Sequence, residues 1–141
     1  MFALIFTVGD KKYGIDVNDI VSVAPAFDLI EDASYPLPFA GWREYQEGKI
    51  PVFDLNYALN GVCVKRVFGT RHIIANFKFG EKILRVALAA EGLESVSEFT
   101  DELELAVNTP LRTAENNEYG KVVLVDIASV LKEVVFDYER A

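Results

Sequence analysis

Several residue types are scarce in this sequence, and each shortage excludes a class of function. Cysteine, histidine, methionine and tryptophan occur once each. A lone cysteine, Cys63, cannot close an internal disulfide, and the simplest reading is a cytoplasmic protein. With His72 as the single histidine and no cysteine cluster, zinc-ligand spacings are missing, so neither a metal nor a cofactor is expected. Basic residues are in deficit: 14 Lys and Arg stand against 22 Asp and Glu, a formal net charge of −8. Nucleic-acid binders carry a basic face, so no nucleic-acid partner is expected. An anionic membrane surface would repel the chain. Apolar runs fall well short of the ~20 residues of a membrane span, so no membrane insertion is expected. The opening Met1-Phe2-Ala3-Leu4-Ile5-Phe6 lacks the basic stretch of a signal peptide. Neither a GxSxG elbow, a Walker A loop nor a GxGxxG fingerprint occurs.

What is present fits one globular domain over residues 1–141: 51% of the residues are hydrophobic and 26% charged. That hydrophobicity excludes general disorder. The most informative feature is an internal repeat. Lys49-Ile50-Pro51-Val52-Phe53-Asp54-Leu55 resembles Lys121-Val122-Val123-Leu124-Val125-Asp126-Ile127, displaced by 72 residues. Phe6-Thr7-Val8-Gly9-Asp10-Lys11 resembles Phe77-Lys78-Phe79-Gly80-Glu81-Lys82, displaced by 71. Each unit opens with a hairpin turning at Gly9-Asp10 or Gly80-Glu81. Each closes with a strand ending in Asp54 or Asp126, where a short helix begins. Duplication predicts an all-β fold with short helices: two small barrels, units of about residues 1–69 and 70–141, sharing one core. The seam between them is the expected place for a groove, since ligand sites favour such interfaces.

Local patterns fill in the picture. Residues 71–79 read as a strand, and Val122 to Val125 as a strand covered on both faces. Residues 31–41 contain Pro36, Pro38 and Gly41 and read as a loop; Asn116-Asn117 reads as a turn. Ile127, Val130, Leu131, Val134, Val135 and Tyr138 share one helical face, which predicts a C-terminal helix running through Tyr138. Residues 21–30 alternate, and Pro25 cannot donate a ladder bond, so this strand is expected at a sheet edge. Exposed edges invite partner chains.

Reactive chemistry is poorly represented. His72 lies in an apolar strand and reads as a structural or rim histidine. Asp54 and Asp126 are expected as helix caps. Trp42 is expected in the core. Glu91, Glu94, Glu98, Asp101, Glu102 and Glu104 form a solvated acidic face without calcium-loop order. No catalytic residues are expected.

The motifs in their order resemble the CheW-like family of bacterial chemotaxis coupling proteins. The resemblance spans nearly the whole chain. It begins with Phe6 to Val17 as the family's opening hairpin and Ile20-Val21-Ser22-Val23 as its next strand. Pro38-Phe39-Ala40-Gly41 and Gly48-Lys49-Ile50-Pro51-Val52-Phe53-Asp54-Leu55 follow. Gly92-Leu93-Glu94-Ser95-Val96 and Val123-Leu124-Val125-Asp126-Ile127 complete it. The resemblance implies two five-stranded SH3-like barrels and no catalysis. It also implies an adaptor whose partners are a chemoreceptor cytoplasmic tip and a histidine kinase regulatory domain. One departure stands out: the family places an arginine before the glycine equivalent to Gly48, and here Gln46-Glu47 precede it. Neither can supply a guanidinium's charge or its fork of donors. Candidate partner-binding residues are therefore Val23, Pro25 and Phe27 on the edge, with Gln46, Glu47 and Gly48 at the altered turn. The alternative reading is a small-ligand-sensing module on the same two-barrel fold.

Overall fold

The computed structural model describes the chain except residues 66–68, 100–103, 106–110, 117 and 141. Alternating apolar residues and glycine turns produce strands almost throughout. In the first half β1 (Phe2–Val8) and β2 (Lys11–Asp16) form the opening hairpin, followed by β3 (Ile20–Pro25) and β4 (Ile30–Glu31). Next come β5 (Phe39–Tyr45), β6 (Gly48–Asp54) and α1 (Leu55–Asn60). The second half repeats this order with β7 (Arg71–Phe79), β8 (Lys82–Ala90), β9 (Leu93–Glu98) and β10 (Glu104–Leu105). It closes with β11 (Leu111–Asn116), β12 (Gly120–Val125) and α2 (Ile127–Lys132).

The strands form two sheets. Barrel I has the order β9-β1-β2-β12-β11-β10, and barrel II has β3-β7-β8-β6-β5-β4. Adding six to each strand number of β3-β6-β5-β4 gives β9-β12-β11-β10, so the two sheets are the same pattern. The parallel pairs match as well: β6 with β8, and β12 with β2. Each barrel, however, takes its opening hairpin from the other half of the sequence. The unit boundary near residue 69 thus divides the repeats but not the sheets. In barrel II the edge strands β3 and β4 are consecutive in the chain. A flat six-stranded sheet would separate them by about 24 Å. The chain from Pro25 to Ile30 reaches only about 17 Å. The sheet must therefore curl, which gives each barrel five strands of useful length plus a two-residue closing strand.

Alternation assigns the core. On β1, Ala3 and Ile5 face into barrel I with Phe99, Val122 and Leu124. Leu4, Phe6 and Val8 face the other way, into a cluster shared by both barrels. On β7, Ile74 faces into barrel II with Val52, Ala87 and Ala89, while Ile73, Ala75 and Phe77 join the shared cluster. The two thin subdomain cores are thereby welded by one larger core, which gives the fold most of its burial.

The C-terminal helix is shorter than its periodicity suggests. α2 stops at Lys132, and Val135 is exposed. The apolar spacing continues because Phe136 and Tyr138 pack into the seam, not because the helix does. Phe136 lies within 6 Å, ring centroid to ring centroid, of Tyr35, Phe39, Trp42, Phe53 and Tyr138. Adjacent β-branched Val134 and Val135 also favour leaving the helix. Within residues 31–41, Glu31 belongs to β4 and Phe39 already starts β5. Gly41 has φ 145, and a Cβ there would lie 2.1 Å from the Ile30 carbonyl oxygen. Asn117, expected in a turn, lies outside the described residues.

Candidate functional site

The edge strand β3 presents an apolar stripe. Residues two apart share a face of a strand, and Val21, Val23 and Pro25 are all exposed. A short 3₁₀ turn over Ala26–Asp28 then carries Phe27, which is 83% exposed. A phenyl ring this exposed costs hydration free energy unless something covers it. Ile30 and Leu37 extend the exposed apolar surface.

What holds this edge in place is a buried arginine. Arg43 lies on the inward face of β5 with Gly41, opposite Ile50, while a bulge turns Phe39 to the other face. Its Nη1 donates to the Pro25 carbonyl at 3.0 Å and meets His72 Nδ1 at 2.9 Å. Its Nη2 donates to Asp28 Oδ2 at 3.2 Å, and its Nε to the Glu44 carbonyl. One side chain thus ties β5 to the end of β3 and to the turn bearing Phe27. His72 is 1% exposed. Burial and the neighbouring Arg43 charge push its pKa down to about 4, partly offset by Asp28. It is therefore neutral at pH 7, with Nδ1 accepting from the guanidinium and the proton on Nε2. Sequence reasoning singled out neither Arg43 nor Asp28. A charged residue at an inward-facing position of β5 was the signal that could have found them.

The other predicted positions lie elsewhere. Gln46, Glu47 and Gly48 form the exposed β5–β6 turn, with Gln46 at φ 55. Val23 is level with Ile73, Leu88 and Phe53 across the sheet, and Gly48 precedes Phe53 on β6 by five residues. The turn therefore stands at the opposite end of barrel II from Phe27, and the fold does not bring the two groups together. Arg43 is close to the turn in sequence but points inward, so it is no substitute for a surface arginine.

The two aspartates differ. Asp54 is buried, and its carboxylate accepts from Tyr57 N at 2.9 Å and Val64 N at 2.8 Å. Burial raises its pKa against the pull of those hydrogen bonds. Asp126 occupies the same place before α2, but its carboxylate makes no capping bond to the helix backbone. It accepts from the Ser129 hydroxyl at 2.7 Å instead. In the acidic stretch, Glu94 pairs with Lys12 at 2.8 Å, which lowers its pKa. Asp101 and Glu102 lie outside the described residues. Among the described residues no group of three or more His, Cys, Asp or Glu is placed to hold a metal.

At the seam, among the described residues, Phe39, Phe53, Phe77, Phe136 and Tyr138 pack together. A cavity of about 950 Å³ opens at the end of barrel II, between Phe27, Tyr35, Leu37, Asp54, Val64 and His72.

Comparison with solved structures shows a likeness in fold. The chain superposes on the crystal structure of the scaffolding protein TtCheW from Thermoanaerobacter tengcongensis with a TM-score of 0.78. The match covers 92% of this chain and 86% of that one, at 15% sequence identity. The fold is the CheW fold. No protein-family profile matches the sequence, and no curated protein matches it. The likeness is one of fold, at low sequence identity. No helix among the described residues is long and apolar enough to cross a membrane.

Proposed function

We propose that this chain is a diverged CheW-like scaffold. It is a non-catalytic cytoplasmic adaptor that couples the cytoplasmic tip of a chemoreceptor to the regulatory domain of a histidine kinase. The pathway is chemotaxis or a related two-component system. Residues 1–141 act as one domain built from repeat units of about 1–69 and 70–141. The observation that carries the reading is the combination of a scaffold's fold with an uncovered edge on barrel II. Val23, Pro25 and Phe27 give one docking surface there, and Arg43 pre-organises it, which lowers the ordering cost of binding. Gln46, Glu47 and Gly48 give a second surface at the far end of the same barrel. Two separated surfaces suit a protein that links two partners. The acidic turn residue Glu47 replaces the family's arginine side of the contact and selects partners of opposite charge.

A pull-down tests the proposal. Tagged chain is mixed at micromolar concentration and moderate salt with the receptor tip and, separately, with the kinase regulatory domain from the same cell. Retention of both supports the reading, and retention of neither overturns it.

A further inference from the structure

His72 has a hydrogen-bonding group that the fold itself does not use. The residue lies on β7 two positions from Ile74, on the face turned into barrel II, and is buried. Its Nδ1 accepts from Arg43 Nη1 at 2.9 Å, which leaves the proton on Nε2. Among the described residues nothing accepts a hydrogen bond from that N–H. A buried donor left unpaired is costly, so its presence calls for an explanation. The atom is not sealed off. Among the described residues, the buried side-chain nitrogen or oxygen with neither a partner nor open space beside it is Asn56 Oδ1. His72 Nε2 therefore borders open space, and the space that His72 lines is the cavity of about 950 Å³ at the end of barrel II. That size lies within the range of small-molecule sites.

The rest of the lining decides what would fit. Its walls are mostly apolar, from Leu29, Tyr35, Leu37, Phe39 and Val64, with Phe27 at the rim. Its ionic groups are engaged within the chain. Asp54 accepts from Tyr57 N and Val64 N, and Asp32 from Ser34 N and the Trp42 indole N–H. Arg71 donates to the Thr70 carbonyl at 3.0 Å, and Glu31 also has a partner. The Thr70 hydroxyl donates to the Lys65 carbonyl. Of the buried polar side chains in the lining, Asp54, Thr70 and His72, only His72 keeps a proton to give. With the ionic groups engaged, a charged ligand would be buried without a free counter-charge, which is costly. We propose that the cavity binds a small, uncharged, largely apolar molecule bearing a carbonyl: the carbonyl oxygen accepts from His72 Nε2, and the apolar body lies against Leu29, Tyr35, Leu37 and Val64. A hydrocarbon of similar shape leaves the donor unpaired and binds more weakly.

The chain has one histidine, so its imidazole nitrogens give a single, unambiguous set of NMR signals. The test is a titration of the whole chain at pH 7, with acetophenone as the probe and ethylbenzene as the comparator without an acceptor. Acetophenone should saturate with a Kd of about 1 mM or tighter, moving the His72 Nε2 resonance and the amides of Ala26, Phe39 and Thr70. Ethylbenzene should bind at least about tenfold more weakly. Ala26→Trp, at the half-exposed rim, should abolish acetophenone binding, and unchanged dispersion of the remaining amides shows that the variant is folded. Pro25 and Phe27 line the cavity and also belong to the proposed docking surface. The titration uses the chain alone, so its outcome is independent of the scaffold reading. No saturable shift with acetophenone up to about 10 mM overturns the proposal. So does equal binding of the two probes, saturation that leaves the Nε2 resonance unmoved, or binding that survives in folded Ala26→Trp. If that variant does not fold, the two probes and the Nε2 resonance still decide.

Discussion

Arg43 Nη1 lies 2.9 Å from Nδ1 of His72, and the two side chains are buried together against the end of the edge strand. The contact works only while the imidazole is neutral, because an imidazolium has no acceptor to offer a guanidinium. The unfolded chain takes up a proton near pH 6.5, whereas the folded one resists until about pH 4. Between those values the unfolded state holds more protons, so stability falls as the pH is lowered. The full loss is about 3 kcal/mol. Urea unfolding of the wild type and His72→Gln at pH 7 and pH 4.5 checks this. The wild type should lose stability relative to the variant. Parallel losses in the two proteins would show that His72 protonates freely in the folded state.

Phe27 is expected to matter for binding and not for folding. Phe27→Asp should leave the melting temperature within a few degrees, because the ring is 83% exposed. It should weaken partner binding at least about tenfold, as a central aromatic anchor does. Calorimetry against each partner together with a thermal melt reads both quantities. A large drop in melting temperature would instead place the ring in the fold's own packing.

Tyr138 closes the seam behind α2. Its ring packs against Phe53, Phe77, Phe79 and Phe136, and its hydroxyl donates to the Leu131 carbonyl at 2.6 Å. Burial raises its pKa above the ordinary tyrosine value. Tyr138→Ala should cost about 3–5 kcal/mol. Tyr138→Phe keeps the packing and should cost only about 1 kcal/mol. Denaturant midpoints of the two variants separate the contributions, and similar losses for both would contradict the packing account.

The repeated aspartates should not respond alike. Asp54→Ala removes two backbone hydrogen bonds and should cost about 1–2 kcal/mol. Asp126→Ala removes a contact with an exposed serine hydroxyl and should cost a few tenths of a kcal/mol at most, about the scale of an ordinary surface change. Chemical denaturation of each variant decides it, and equal costs would mean that both caps act alike in solution.

Much of the architecture was legible in the sequence because it is locally encoded. Gly9-Asp10 and Gly80-Glu81 mark turns by their own backbone preferences, and Pro25 marks an edge by its missing N–H. The shared offset of about 71 residues exposed the duplication. What escaped notice depends on contacts distant in sequence. No local pattern states that the β1–β2 hairpin joins the sheet of the second half. The spacing of Val134, Val135 and Tyr138 looks helical whether the apolar groups face a helix stripe or an aromatic seam. Arg43 and His72 are 29 residues apart, and neither carries a motif that names the other. At the candidate docking surface the edge location of Val23 and Pro25 could be read. That Phe27 and the Gln46–Gly48 turn stand at opposite ends of one barrel could not, because the ladder register places them there.

The most direct test of the central claim is sedimentation velocity of the chain mixed with both the receptor tip and the kinase regulatory domain. A scaffold with two separate surfaces predicts one faster-moving species containing all three components, lost when either partner is omitted. Sedimentation of the chain at its free rate in the full mixture would contradict the account.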